Sequence, residues 1–476
     1  MIGRKGSLVR QKGSSNMAEK GLETKTHKMT EGNPFRTILL FAIPMILSNL
    51  FQQLYSVIDT IIVGKRLGTE ALAAVGSASS ITAVFVQLAT GLALGGSIVI
   101  AQYFGAGRTE KIWQCMTTSV LFSAGVAFVS TVGIWTGAGP LLRLVNTPEE
   151  IVAMGISYLR FYFLGCVPIF VYNALNGVYV ALGDSRTPLR FLILSSVLNV
   201  LLDLFFIIAM RGGVGGAALA TAISQFAAAA FAIGDMPKLL KEFERGKSDA
   251  LFDKGLLLTM LRFALPSALQ QSIVSVGSVI VQATINSFGS AVIAGSAAAA
   301  KVVNLATAVP INYSNAYANY VGQNIGACKE ERIRPGLRAS ILSCGGLSLL
   351  LTVIFEIFPN QIIRLFIEET ETDLEQVIAV GAAYIRVVGA FLVVFSAFML
   401  VKATFKGSGD MSWFILTTLL SFFIRLFLTV GFAQVVGVEI IWWAFCAGWT
   451  IALLVAAARY FQGGWRMKRI TDADDS

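Results

Sequence analysis

Apolar residues along this chain form long runs of roughly 20 residues or more, separated by short polar connections. A run of that length crosses the hydrocarbon core of a bilayer as a helix, and the runs lack the short alternation of a membrane β-barrel. The pattern therefore predicts an all-α polytopic membrane protein with twelve transmembrane helices. They lie at about residues 37–63, 70–104, 112–135 and 151–182, then from Ser195, and at about 216–233, 256–287, 291–325, 332–358, 376–405, 411–436 and 440–461.

The two halves of the chain repeat one another at an offset of about 221–226 residues. The matched segments are FAIP (41–44) with FALP (263–266), AQYFGAGRTEKI (101–112) with GQNIGACKEERI (322–333), and Gly183-Asp184 with Gly409-Asp410. The second match pairs Gln102 with Gln323 and Gly105 with Gly326. Six helices per repeat give both halves the same orientation, so we predict two six-helix lobes related by an axis along the membrane normal.

Charge distribution predicts which connections face the cytoplasm. The net charge is +9, yet only 14% of residues are charged, and the basic ones lie between the apolar runs, as in cytoplasmic loops rather than nucleic-acid surfaces. One long hydrophilic connection, residues 235–255, separates the predicted N-lobe (35–234) from the C-lobe (256–463). We expect this linker and the tails 1–34 and 464–476 to be cytoplasmic, in a monomeric multi-pass protein of the inner (plasma) membrane that contacts lipid.

The residue types that support covalent or metal catalysis are scarce. The single histidine, His27, lies in the N-terminal tail, and the five cysteines are far apart without metal-ligand spacing. Nucleophilic or zinc chemistry therefore has little basis, and we expect neither an enzyme nor an organic cofactor.

Two intramembrane carboxylates in the first half are the candidate chemistry. Asn199 and Asp203 lie one turn apart on an otherwise apolar helix, and Asp59 lies at similar predicted depth in the first helix. A carboxylate inside a membrane-spanning helix is a functional-site candidate by default. The three side chains could hold a proton or a small cation such as Na⁺, because carboxylate and amide oxygens are ligands of hard cations. The alternative is a structural hydrogen-bond cluster.

The second half has no matching acid. Its predicted polar stripe on the seventh helix consists of amide and hydroxyl side chains, and the position that matches Asn199 is Arg425. One lobe would therefore titrate, whereas the other is amidic and basic. We expect a substrate cavity lined by tyrosine and amide side chains from both halves, namely Gln52, Tyr55, Tyr172, Asn176, Gln271, Gln282 and Asn312.

Together these residues resemble the multidrug and toxic compound extrusion (MATE) family of secondary transporters, in its bacterial branch. The resemblance is carried by FAIP with Asp59, Gln102-x-x-Gly105-Ala106, Gly183-Asp184 with Pro188, Asn199-x-x-x-Asp203 and GGVGGAALAT (212–221). It implies two six-helix lobes that form a V with substrate between them. It also implies a coupling-ion site for H⁺ or Na⁺ at Asp59, Asn199 and Asp203. Some members also use carboxylates on helices 7 and 10; Val274 and Phe395 in those regions argue against a second-lobe ion site.

The sequence therefore predicts a secondary antiporter that exports amphipathic, cationic small molecules in exchange for H⁺ or Na⁺. One alternative is a lipid-linked oligosaccharide flippase of similar architecture, which Arg160, Lys301 and Arg425 would serve as cavity cations. A second alternative, a lipid-modifying membrane enzyme, is disfavoured because no helical histidine or nucleophile–base set is found.

Overall fold

The computed structural model describes residues 28–240, 243, 250–367 and 373–467, without the side chains of Leu240, Gln271, Ser272, Val276 and Met467. These ranges contain helices and no strand. The first half forms α1 (Pro34–Leu67), α2 (Thr69–Gly105), α3 (Thr109–Leu144), α4 (Glu149–Leu164), α5 (Cys166–Ala181), α6 (Arg186–Asp203) and α7 (Gly213–Leu240).

The second half repeats this order. It forms α8 (Lys254–Asn286), α9 (Ser290–Gly326), α10 (Ile333–Ile357), the short α11 (Pro359–Arg364), α12 (Leu374–Ala390), α13 (Leu392–Ser408), α14 (Met411–Val436) and α15 (Glu439–Gln462). Ten spans in the described residues are long and apolar enough to cross a membrane, and two bent helix pairs bring the number to twelve. The twelve predicted spans and their division into two lobes are therefore confirmed.

Two spans that the sequence predicts as single helices are broken instead. α4 meets α5 at Gly165, and α12 meets α13 at Phe391, each pair with a bend of 47°. A Cβ at Gly165 would lie 2.7 Å from the Cα of Ala222 on α7, so the first break lies where two backbones approach closely. The two breaks are separated by the repeat offset and belong to the shared lobe architecture.

The predicted end of the third span and the predicted start of the linker also need correction. α3 continues past Trp135 to Leu144, through Pro140, because Ala138 and Leu142 are buried in the N-lobe core. α7 extends to Leu240 and so includes the first residues of the predicted linker 235–255. Residues 241–242 and 244–249 of that linker and most of both predicted tails lie outside the described residues.

The lobes meet where α2 and α9 end side by side, a region that we call the closed end. A Cβ at Gly105 would overlap the carbonyl oxygen of Gln323, and a Cβ at Gly326 would overlap the carbonyl oxygen of Gln102. The two helix termini therefore interlock reciprocally. The repeat pairs Gln102 with Gln323 and Gly105 with Gly326. In the structure these equivalent residues face each other across the axis between the lobes.

The glutamine side chains at the closed end bond to the opposite lobe in the same reciprocal way. Gln102 Nε2 donates to the carbonyl oxygen of Gly407 (3.1 Å), and Gln323 Nε2 donates to that of Ala181 (2.8 Å). Gly407 and Ala181 are themselves repeat equivalents. The largest apolar core of the protein, which includes Val99 and Tyr317, extends across both lobes at this end.

Residues 28–33, which we call the strap, precede α1 and lie against the C-lobe. The backbone N–H of Met29 donates to Gln323 Oε1 (2.8 Å), and Arg332 Nη2 donates to the carbonyl oxygens of Glu31 (3.1 Å) and Gly32 (2.9 Å). Met29 is buried. The strap therefore connects the start of the N-lobe to the end of α9 and the turn that follows it.

Candidate functional site

Helix α6 presents the polar stripe that the sequence predicts. Ser195, Asn199 and Asp203 lie on successive turns of one face, and all three are buried, Asp203 completely. α6 packs against α1 and α7, so this face is directed into the N-lobe. The backbone changes to a π-helix at Leu204–Ala209, directly after Asp203. Such π-turns occur often at functional sites, since they locally shift the register of side chains.

Asp59 on α1 meets Asp203 on α6. The two helices pack together, and the two carboxyl groups are close enough to interact electrostatically. Oδ1 of Asp59 and both carboxylate oxygens of Asp203 are buried and accept no hydrogen bond from a donor in the described part of the chain. Two adjacent buried carboxylates repel each other when both are ionised. A shared proton or a bound cation would relieve that repulsion.

Asn199 adds an amide oxygen to this carboxyl pair. Its Nδ2 donates to Thr221 Oγ1 on α7 (3.4 Å), and Thr221 Oγ1 in turn donates to the carbonyl oxygen of Ala217 (3.3 Å). Asn199 Oδ1 is buried and has no donor among the described residues. The site thus combines two carboxylates with a neutral oxygen, a donor set suited to a proton or a monovalent cation. No group of three or more His, Cys, Asp or Glu side chains that could together hold a metal ion occurs in the described ranges.

Tyrosine side chains from α1 and α4 surround the carboxyl pair, and sequence reasoning missed two of them. Tyr55, Tyr158 and Tyr162 interact electrostatically with Asp59, and the rings of Tyr158 and Tyr162 stack at 5.9 Å. The signal that could have found Tyr158 is its repetition as Tyr384 in the second half. Tyr55 on α1 and the stacked pair on α4 are therefore the aromatic neighbours of the carboxyl pair.

The predicted substrate-cavity residues are not all brought together. Tyr55 lies beside Gln52 and near Tyr172, whose hydroxyl donates to the carbonyl oxygen of Pro188 (3.1 Å). Tyr172 is buried and Asn176 is half-buried, both on α5. These residues belong to the N-lobe near the carboxyl pair, so their role in binding stays a prediction.

The C-lobe members of that predicted cavity form hydrogen bonds within their own helices. Gln282 is exposed and donates to Asn286 Oδ1 (2.9 Å), whereas Asn312 is half-buried and donates to the carbonyl oxygen of Ala308 (2.8 Å). The side chain of Gln271 lies outside the described atoms. The assignment of these three residues to substrate binding also stays a prediction.

Two buried lysines in the C-lobe escaped sequence reasoning, which grouped them with the cytoplasmic loop edges. Lys406 Nζ donates to Asn315 Oδ1 (2.9 Å), and Lys402 Nζ lies over the rings of Phe398 (5.2 Å) and Phe414 (5.1 Å). Both are one turn apart on α13 and only 6–7% exposed. They make the C-lobe interior more basic than predicted.

The MatE family model matches residues 44–205 and 266–430, one match in each lobe. The chain therefore belongs to the MatE family, the multidrug and toxic compound extrusion transporters. It is a multi-pass membrane transporter and not an enzyme.

Relatives and solved structures agree with this membership. "Probable multidrug resistance protein YoeA" of Bacillus subtilis is 27% identical over 94% of this chain and 97% of its own length. "Probable multidrug resistance protein YpnP" of the same organism is 27% identical over 94% of this chain and 100% of its own. A MOP superfamily transporter from Pyrococcus furiosus shares the fold with a TM-score of 0.85, at 23% identity over 94% of this chain and 99% of its own.

A multidrug resistance MATE family transporter in an outward-facing conformation also shares the fold. Its TM-score is 0.83 at 24% identity, and the match covers 96% of this chain and all of the other. These comparisons do not favour the flippase alternative. Two of the cations on which that alternative depended, Arg160 and Lys301, are exposed, and Arg160 lies over the ring of Trp135 (5.9 Å).

Proposed function

We propose that this transporter is an antiporter of the plasma membrane that exports amphipathic, cationic small molecules in exchange for H⁺ or Na⁺. The coupling ion would bind at Asp59, Asn199 and Asp203. The observation that carries the proposal is the approach of the Asp59 and Asp203 carboxyl groups beside the buried amide of Asn199. The protein would work as a monomer.

The carboxyl pair supplies the coupling through its charge. Without a bound ion the N-lobe site is anionic and attracts a cationic substrate, whereas a bound proton or Na⁺ neutralises part of that charge. The two ligands would then favour different arrangements of the lobes, which is how differential affinity drives exchange. Because the coupling is reciprocal, substrate would weaken ion binding as much as the ion weakens substrate binding.

The orientation follows from the charges at the closed end. Arg108 lies in the turn after α2 and Lys111 in the first turn of α3, and the segment after α9 carries Lys329 and Arg332. An excess of basic residues is typical of cytoplasmic loops. We therefore assign the closed end, with both termini, to the cytoplasm, and Asp59 and Asp203 to the outer half of the N-lobe.

The test is dye export by purified protein in proteoliposomes, with a proton gradient or a Na⁺ gradient imposed separately. Asp203→Asn should abolish gradient-driven export of a cationic dye because the amide cannot take up a proton or contribute a charge. Glu356→Gln is the matched control, since Glu356 is an exposed helical carboxylate of the C-lobe. It should retain wild-type export.

The gradient that drives wild-type export identifies the coupling ion. Equal losses in Asp203→Asn and Glu356→Gln at matched protein levels would contradict a coupling site in the N-lobe. Export that neither gradient stimulates would contradict antiport itself.

A further inference from the structure

The C-lobe carries a second polar site at the place that corresponds to the coupling site of the N-lobe. At the repeat offset that pairs Gly183 with Gly409, Asn199 corresponds to Arg425 and Asp203 to Thr429. Both residues lie on α14, one turn apart and on one face. A cation and a hydroxyl group therefore stand in the C-lobe where an amide and a carboxyl group stand in the N-lobe.

Aromatic rings pack against Arg425. Its guanidinium lies over the ring of Phe445 (4.6 Å) and near that of Phe422 (5.5 Å). Tyr384, which interacts electrostatically with Arg425, stacks on Trp442 at 4.2 Å. The surroundings of this cation are therefore apolar and shield it poorly, which strengthens its attraction for any anion that reaches it.

One edge of the Arg425 guanidinium has no partner in the described part of the chain. Its Nε and Nη2 are buried and form no hydrogen bond with the described residues, and the same holds for the buried Thr429 Oγ1. The same edge of two other arginines binds carboxylates in this protein. Arg143 uses Nε and Nη2 to bind Glu149 (2.7 and 3.2 Å), and Arg459 uses them to bind Asp410 (3.2 and 2.8 Å).

The described acidic residues of the C-lobe spans do not provide a partner for Arg425. Asp410 is paired with Arg459, and Glu356, Glu375 and Glu439 are exposed. A cation inside a membrane domain is costly without a partner and marks a functional site by default. The Arg425 side chain as a whole is half-buried, so part of it stays open to a ligand although the rings cover its Nε and Nη2.

We propose that Arg425 and Thr429 bind an anionic group of the transported substrate, such as a carboxylate, sulfonate or phosphate. The Nε–Nη2 edge matches the two oxygens of such a group, and Phe422 and Phe445 accept an adjoining aromatic ring. This inference rests on the proposed transport function and narrows its substrate class. The substrates would then be amphipathic molecules that carry both an anionic group and a cationic group. The cationic group would face Asp59 and Asp203.

Binding of two matched dyes to purified protein in lipid nanodiscs tests the proposal without any ion gradient. One dye is a rhodamine with a free benzoate, and the other is its methyl ester, which differs only in lacking the anionic group. Wild-type protein should bind the free acid about tenfold more tightly than the ester. Arg425→Met should remove this preference by weakening binding of the acid, and Arg425→Lys should restore part of it.

The matched control is Arg386→Met, which removes an exposed cation from the same lobe and should keep the preference. Equal wild-type affinities for the two dyes, or a preference that Arg425→Met leaves intact, would overturn the proposal. If Arg425→Met fails to fold, the preference of Arg425→Lys for the free acid over the ester provides the test instead. Gradient-driven export measured in parallel separates this result from the coupling proposal, since Asp203→Asn should lose export while it keeps the preference for the acid.

Discussion

The N-lobe and the C-lobe share one architecture and differ in the charge of their interiors. Both bend their fourth span by 47°, and both place a glycine with positive φ, Gly183 or Gly409, before the span that carries the polar site. The N-lobe interior carries the carboxyl pair, whereas the C-lobe interior carries buried or half-buried cations at Lys402, Lys406 and Arg425.

This difference shows which positions the repeat architecture depends on. The features common to both lobes are close backbone approaches, turns and apolar packing, which tolerate little change because interiors are densely packed. The polar sites at Asn199 and Arg425 occupy equivalent places in that frame but carry different side chains. Under our two proposals the lobes perform different tasks, ion coupling in one and recognition of a substrate anion in the other.

The largest expected effect comes from giving the N-lobe the cation of the C-lobe. Asn199→Arg would place a guanidinium beside Asp59 and Asp203, where it would pair with both carboxylates. Ion coupling should then be lost completely. Affinity of the wild type for a cationic dye should fall as the solution is acidified from about pH 8 to pH 5, because protonation removes carboxylate charge. In Asn199→Arg this affinity should be weak and independent of pH.

The reverse substitution, Arg425→Asn, is the control for that experiment. It should leave the pH dependence of cationic-dye binding as it is in the wild type, because the carboxyl pair is untouched. A flat wild-type profile would argue against a proton at this site. Loss of the pH dependence in both variants would show that the two lobes do not divide these tasks.

A smaller effect is expected at the closed end, where the lobes are alike. Gly105→Ala and Gly326→Ala should separate the helix termini, because each added methyl group would overlap a carbonyl oxygen of the other lobe. We expect each to destabilise the closed end by roughly 1–3 kcal/mol, the usual cost of overpacking, and to favour the opposite lobe arrangement. Distances between spin labels on α2 and α9 report this shift.

Gly125→Ala is the matched control, since a Cβ there meets nothing within 4 Å. It should leave the distances unchanged. Because Gly105 and Gly326 are equivalent, their variants should behave alike within experimental error. A large shift in only one variant would mean that the two lobes contribute unequally to the closed end, despite their reciprocal contacts.

The sequence predicted much of the fold because hydropathy and repetition are local signals. The spans, the two lobes and the pairing of Gly105 with Gly326 all came from patterns that need no tertiary information. The approach of Asp59 to Asp203 followed from their similar depth on neighbouring spans. Their role in coupling is still a prediction, as is the role of the substrate-cavity residues.

What the sequence missed depends on tertiary packing. Lysines close to a span end either extend to water or become buried, and Lys402 and Lys406 are buried because aromatic rings and Asn315 surround them. The break at Gly165 follows from the approach of α7, and the π-turn after Asp203 has no signal in local composition.

The smallest expected effect concerns the strap, where the lobes differ again. Arg332 donates to the carbonyl oxygens of Glu31 and Gly32, so Arg332→Gln should remove bonds that connect the strap to the C-lobe. A hydrogen bond from a charged donor contributes about 1.5–3 kcal/mol when buried, and less at this exposed position. We expect Arg332→Gln to destabilise the closed end by about 1 kcal/mol, again measured from the distances between spin labels.

The repeat equivalent of Arg332, Lys111, lies over the ring of Tyr103 (5.5 Å), so Lys111→Gln is the matched control and should change the distances less. Equal shifts would mean that both basic residues act through their charge alone, and the strap would then have no part in closing the lobes.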